Sequence, residues 1–279
     1  MKKILAVSGG VDSVVMLHMF RNDSDVIVAH FNHGIRANST DDCIFVEKLA
    51  EKYQIPFISK QAMLGADCSE EDARLARYLF LNELAEQYHG KIYTAHHADD
   101  LIESVLINLI RGTGWRGLAV LNNPSIVRPL IKWTKNDIYK YAAENNLHFR
   151  LDQTNSDEHY LRNRIRIQIR NIKPQDKEKL YSLAMRQREI ATEIDQICAN
   201  LPRNIFPRNL MNNEDPIAIE VLRAILAQKQ ISQTRPQLQR GICAIRTYAP
   251  GKRFPLNKKH TILIDKYNFR IIPTDCAKE

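Results

Sequence analysis

The chain has 279 residues with 40 Lys+Arg against 32 Asp+Glu, a formal net charge of +8. Hydrophobic residues at 44% and charged residues at 26% are the proportions of a globular protein able to bury its own core, and no apolar run reaches the roughly 20 residues that span a bilayer, so no membrane association is expected. The five cysteines never fall at C-x-x-C spacing, which argues against a disulfide framework or a zinc or iron–sulfur site and fits a reducing, cytoplasmic setting.

Two lysines precede the first apolar run, but Gly9, Gly10 and Asp12 interrupt it too early for a signal peptide, so it is predicted to be a strand. Four more runs rich in β-branched or apolar residues follow the opening "KILAVS": "DVIVAHF", "PFISK", "KIYTAH" and "SIVRPLI". Each leads into a helical stretch or a turn. That alternation predicts an α/β fold, a Rossmann-like parallel sheet with helices on both faces. Ser69 is the predicted cap of the helix "EEDARLARYLFLNELAEQY", and Thr134 that of "KNDIYKYAAENN". In "DDLIESVLINLIRGTG" the apolar residues form one stripe that Gly112 or Gly114 would end.

Past Pro129 the pattern changes to a polar loop, the arginine-dense "YLRNRIRIQIR" and a long helical stretch from Gln175. The expected division is a front domain of residues 1–175 and a region of residues 176–279, a helical linker with a smaller basic C-terminal domain, strand-rich around "TILIDKYNFRIIP". Residues 1–159 carry 17 Lys+Arg against 21 Asp+Glu, whereas residues 160–279 carry 23 against 11. A basic rear beside a mildly acidic front suits a nucleic-acid binder, an ordinary basic surface being the alternative.

The turn "SGGVDS", directly after the first strand, gathers glycine-freed amides, unpaired amides of a helix N-terminus and two hydroxyls, a set that binds an anion. It lacks the lysine of the nucleotide P-loop and the spacing of the dinucleotide fingerprint. Two adjacent glycines followed by Asp12 suit a pyrophosphate that departs as a unit, with Mg²⁺ offsetting the repulsion between carboxylate and phosphates.

This turn resembles the signature of the PP-loop ATP pyrophosphatases. Further stretches, in order along residues 4–170, resemble the tRNA(Ile)-lysidine synthetases: "HFNHGIR", "EEDARLARY", "TAHHADDLIES", "RGTGWRGL", "VRPLI" and "DQTNSDEHYLRNRIR". The resemblance implies a ligase that uses ATP to adenylate the wobble cytidine of a CAU-anticodon isoleucine tRNA. L-lysine then displaces AMP to form lysidine, so that the tRNA reads AUA in place of AUG.

That chemistry requires a pyrophosphate cradle, an adenine pocket, acids for an ammonium and cations for substrate phosphates. The cradle is Ser8, Gly9, Gly10, Val11, Asp12 and Ser13, with Asp12 as the Mg²⁺ ligand. Backbone at Ala29 and Phe31, on the edge of the second strand, is expected to read adenine, with His33 or Arg36 on phosphate or ribose; Phe31 reads equally as core. "TAHHADDLIES" places His96, His97, Asp99, Asp100 and Glu103 where open α/β sheets hold ligands. Asp100 and Glu103 would bind lysine's amine and, with Asp12, His96 and Arg162, form the catalytic set. A helix-capping pair or a metal site remain alternatives for these residues. Leu101 and Ser104 depart from the family, which commonly has glutamine and threonine there.

Arg74, Arg77, Arg111, Arg116 and Arg166 are candidate tRNA contacts, although solvated arginine pairs or a basic helix face would explain several. In the rear, Lys252 and Arg253 lead a set that includes Arg186, Arg188, Arg203, Arg208, Lys258 and Lys259. A tRNA thiolase or an amidotransferase of the same superfamily is the nearest alternative, the former disfavoured by the absence of paired cysteines. A homodimer is compatible with the sequence and not required by it.

Overall fold

Each of the five β-branched runs forms a strand: β1 (Lys3–Ala6), β2 (Val26–Asn32), β3 (Phe57–Gln61), β4 (Lys91–Tyr93) and β5 (Ile126–Val127). The computed structural model describes residues 1–32, 39–62, 68, 70–150 and 161–274. His33, Arg36 and Ser69 therefore lie outside the described residues, as do the side chains of Arg162 and Arg170. The strands pair in parallel in the order β3-β2-β1-β4-β5. The chain thus starts mid-sheet, builds outward on one side, and returns to build the other. The loops leaving β1 and β4 diverge at that reversal, which opens a crevice at the carboxyl ends of the strands.

Helices cover both faces because successive strand residues point to opposite sides. On one face Leu5, Val15, Val28, Val46, Leu130 and Ile138 join the sheet to α1 (Val11–Met19), α2 (Ser39–Lys52) and α5 (Lys135–Glu144). On the other, Ile4, Ile27 and Ile92 meet Phe80, Leu81 and Leu84 of α3 (Glu70–Gln87). Next, α4 (Ala98–Ile110) ends at Gly112, whose φ of +73° suits glycine. The arginine-dense stretch is α6 (Leu161–Arg170), and its Ile165 and Ile169 pack on Ile102 and Ile107 of α4. An isoleucine on every fourth residue buries one stripe and leaves the arginines to the rest of the helix.

After α6 comes the long α7 (Pro174–Ala199). The chain divides into two units, residues 1–188 and 189–279. The second contains β6 (Phe206–Pro207), α8 (Asp215–Ala227), α9 (Arg235–Thr247), β7 (Arg253–Pro255), β8 (His260–Ile264) and β9 (Asn268–Pro273). Its antiparallel sheet, ordered β6-β9-β8-β7, has a core built on Phe206, Phe269, Leu222, Ile242 and Ile262. Arg208, expected from the sequence to face tRNA, donates instead to the carbonyls of Ile245 (2.8 Å), Tyr248 (3.1 Å) and Asp265 (3.2 Å), closing the end of α9. Among the described residues, no helix is long and apolar enough to cross a membrane.

Candidate functional site

The turn after β1 is held in shape from within. Gly9 has φ +91°, a region that side chains other than glycine's enter at a cost, and Gly10 is the extended N-cap of α1. Ser13 Oγ accepts the amides of Ser8 and Gly9, both at 3.2 Å, and donates to the Gly10 carbonyl at 2.9 Å. Ser13 is therefore buried scaffold, whereas Ser8 is exposed with its hydroxyl 3.3 Å from that of Ser13. Val11 puts its side chain in the core and leaves its amide at the helix start. The flanks are also fixed: Val7 donates to the Ala29 carbonyl (2.9 Å) and Arg150 to that of Gly9 (2.9 Å). His30 Nδ1 donates to the Val7 carbonyl (2.8 Å), and burial pushes the His30 pKa down.

Across the crevice, α4 begins at His97, whose backbone amide donates to Asp100 Oδ2 at 3.0 Å. Asp100 thus does cap the helix, one of the two roles its sequence position allows. His97 is 6% exposed and its ring stands between acids: Nε2 lies 3.7 Å from Asp12 and 3.5 Å from Asp100, and Nδ1 3.8 Å from Asp99. His96 turns elsewhere, with Nδ1 2.8 Å from Thr94 Oγ1. Burial pushes its pKa down to about 4, opposed by Asp100 and reinforced by Arg128, Arg77 and Arg74, so His96 is neutral at physiological pH. At Asp100, burial disfavours the charged form, but His97, His96, the His97 amide and Arg166 together hold the carboxyl below its ordinary range.

The cation missing from the turn comes from far along the chain. Lys135, the first residue of α5, places Nζ 2.6 and 2.8 Å from the two oxygens of Asp12. Its backbone amide donates to Asp99 (2.8 Å), and Lys177 Nζ reaches the other Asp99 oxygen at 3.4 Å. A capping box of Thr134 and Asp137 fixes the start of α5, as the sequence predicted for Thr134. Neither Lys135 nor Lys177 was marked by any motif. Glu103, 2% exposed, pairs with Arg166 Nε at 2.5 Å, and Arg166 Nη2 is 3.9 Å from Asp100. Arg166, expected on the tRNA backbone or on transition-state charge, has its guanidinium against the site's own acids.

The other expected residues fall as follows. β2 is interior, between β1 and β3, but it runs on to Asn32 while β1 stops at Ala6, so Phe31 lies past the end of β1. The Ala29 carbonyl is used by Val7, and the Phe31 ring packs against Phe80 with centroids 5.8 Å apart. Arg74 and Arg77 flank the Tyr78 ring, Arg116 stacks over Trp115, and Arg111 is exposed at the end of α4. Lys252 and Arg253 are exposed in the second unit. Leu101, a departure from the expected pattern, is fully buried against Val105 and Ala184, and Ser104 Oγ donates to the Asp100 carbonyl (2.9 Å).

Among the described residues, no group of three or more His, Cys, Asp or Glu side chains is arranged to hold a metal alone. Asp12 nevertheless grips a cation, the Lys135 ammonium, with both oxygens. A hard oxygen donor beside an anion cradle fits Mg²⁺, which takes one or two carboxylates and completes its shell with phosphate oxygens and water.

A parallel sheet in this order, with an amide-and-hydroxyl anion cradle facing acids across the reversal, defines a doubly wound α/β protein of the ligand-binding type. Residues 1–173 match the sequence model described as the PP-loop domain, and the chain belongs to that family. It is 38% identical over 183 residues to a tRNA(Ile)-lysidine synthase of Caldanaerobacter subterraneus, covering 60% of this chain and 39% of that protein. With the Geobacter sulfurreducens protein of the same name the identity is 34% over 232 residues, 77% of this chain and 49% of the other. It is also 34% over 230 residues with the bifunctional protein TilS/HprT of Listeria monocytogenes, 76% and 36% of the respective lengths. The chain thus spans half or less of the length of these relatives. Among solved structures, the U34-tRNA thiolase NcsA of Methanococcus maripaludis shares the fold, with TM-score 0.57 and 21% identity over 68% of this chain and 72% of that one.

Proposed function

We propose that the protein is an ATP-dependent ligase that adenylates the wobble cytidine of a CAU-anticodon isoleucine tRNA and joins L-lysine to it, forming lysidine. The observation that carries this reading is the pairing of an anion cradle, Ser8 to Ser13, with three carboxylates, Asp12, Asp99 and Asp100, around His97 at the carboxyl ends of the strands. The names of the relatives agree with it.

In the first step the C2 oxygen of cytidine attacks the α-phosphorus of ATP, and the bond to pyrophosphate breaks. The loop amides, the Ser8 hydroxyl and Lys135 receive the departing charge. Magnesium, when bound by Asp12 and phosphate oxygens, supplies charge neutralisation at that bond. Phe31, past the end of β1, is where adenine meets strand backbone. In the second step the lysine ε-amine forms the C2–N bond as the C2–O bond to AMP breaks. Asp100 and Glu103 orient the ammonium, and a neighbouring carboxylate takes the proton the amine loses. His97, within 4 Å of Asp12, Asp99 and Asp100, links the two halves of the site.

The test is incubation with ATP, Mg²⁺, labelled L-lysine and a CAU-anticodon tRNA transcript. Lysine is expected in the cytidine, with AMP and pyrophosphate released in equal amounts, and Asp12→Ala should abolish the release. A folded, ATP-binding preparation that transfers no lysine overturns the ligase reading and leaves family membership intact.

A further inference from the structure

Six residues beyond Asp12 on α1, and six beyond Lys135 on α5, a second pair of side chains meets. His18 Nδ1 lies 3.1 Å from the Tyr141 hydroxyl, with the two rings edge-on and their centroids 5.7 Å apart. The Asp12–Lys135 pair joins the starts of the same two helices. The equal spacing means that α1 and α5 run side by side in the same direction, tied by polar contacts about 9 Å apart along their axes. Between the ties, Val15 of α1 and Ile138 and Ala142 of α5 are buried in one apolar cluster.

The far tie is anchored from several sides. His18 is 8% exposed, its carbonyl accepts Arg21 Nη1 at 2.7 Å, and its ring faces that of Tyr53, just past the end of α2, at 6.1 Å between centroids. The Tyr141 ring stands edge-on to Trp133 at 5.5 Å, and the Trp133 carbonyl accepts the amide of Ala98, the first residue of α4. Tyr141 thus meets α1 through its hydroxyl and, through its ring, the loop that leads α5 into the crevice. The proposed reaction uses the near tie and gives the far one no part.

Apolar contacts such as those of Val15, Ile138 and Ala142 are non-directional, so they hold α5 on α1 without fixing its slide or rotation; a hydrogen bond fixes both. For filling space alone, leucine and phenylalanine would serve, whereas a buried imidazole carries a desolvation cost that its partner offsets. Lys135 is sensitive to such a slide because its compact ammonium must meet both oxygens of Asp12, at 2.6 and 2.8 Å.

We propose that His18 and Tyr141 are positioning residues for Lys135: their hydrogen bond sets how α5 sits along α1, and so holds the Lys135 ammonium at Asp12 and the phosphate cradle. The assignment rests on the ligase reading for the step that Lys135 assists, and on the two ties for its geometry. Its test is made on the full chain with two readouts. One is the rate of pyrophosphate release with ATP, Mg²⁺, L-lysine and tRNA. The other needs no reaction: acetylation of lysines by N-hydroxysuccinimidyl acetate, followed residue by residue by mass spectrometry.

Tyr141→Phe, which removes a single oxygen, is expected to slow release by about tenfold while changing the KM for ATP and for lysine less than about twofold. Added to Lys135→Gln, it should slow that variant less than about twofold further, because the group it positions is gone. Acetylation of Lys135 should rise by about threefold in Tyr141→Phe, with Lys140, exposed on the same helix, unchanged. His18→Leu should reproduce these effects and keeps the test valid if Tyr141→Phe does not fold, and His18→Asn, which retains a polar atom near the place of Nδ1, should stay within about threefold of the intact rate. An equal loss from Tyr141→Phe with and without Lys135 overturns the assignment in favour of general stability, as does acetylation of Lys135 and Lys140 rising together. Release at the intact rate in both Tyr141→Phe and His18→Leu overturns it while the ligase reading stands. If the intact protein transfers no lysine but Tyr141→Phe selectively unmasks Lys135, the ligase reading falls and the positioning role stands.

Discussion

Lys135 supplies what the glycine turn lacks, an ammonium at the phosphate cradle. Its pair with Asp12 is partly exposed, so its contribution to stability is about 1 kcal/mol or less. In the proposed reaction its weight is greater, because one preorganised donor on a developing anion contributes on the order of a hundredfold in rate. Lys135→Gln should therefore slow pyrophosphate release by about that factor while shifting the urea midpoint little, as stopped assays and denaturant melts would measure. Normal release in this variant would reduce Lys135 to a partner of Asp12. The turn itself was legible from six adjacent residues, since strand, glycines and serines act locally. Lys135 was not, because 123 residues separate it from Asp12 and only the fold brings them together. Nor was the choice between His96 and His97: adjacent residues on extended backbone face opposite ways, and the pleat decides which one meets Asp12.

The α4–α6 pair is the element that shapes the acidic half of the site. Ile165 and Ile169 against Ile102 and Ile107 set the approach of α6, which in turn delivers Arg166 to Glu103. Ile165→Ala should cost about 2–4 kcal/mol by leaving a cavity. It should also raise the KM for lysine more than that for ATP, measured by melting and by steady-state assay, since it loosens the pair at Glu103 and leaves the cradle intact. Equal effects on both substrates would mean that α6 supports the whole crevice. The helical nature of this stretch was only half visible in the sequence, where alternating isoleucine and arginine also imitate a strand. The isoleucines at positions 165 and 169, four apart, decide for a helix once α4 offers a surface to cover. The five parallel strands and α5, by contrast, carry local signals strong enough to be read directly: β-branched runs ending in turns, and a threonine cap.

At the scale of the whole molecule, positive charge is not spread as the division at residue 160 suggested. Residues 160–188, which belong to the first unit, hold nine Lys+Arg against two Asp+Glu, and the whole second unit holds 14 against nine. Non-specific affinity for tRNA follows local phosphate neutralisation, so Arg164→Glu with Lys173→Glu should weaken tRNA binding more than Lys252→Glu with Arg253→Glu. Filter binding across a salt series reads both, and a larger loss from the second pair would move the main tRNA surface into residues 189–279. The link between Asp12 and Lys135 also has a consequence in time. During synthesis the cradle is made first, within the opening βα unit, but its ammonium is added only after all five strands of the parallel sheet have been made. A nascent chain shorter than that carries Asp12 without its ammonium partner, so a closed Asp12–Lys135 pair marks a chain whose parallel sheet has been made in full.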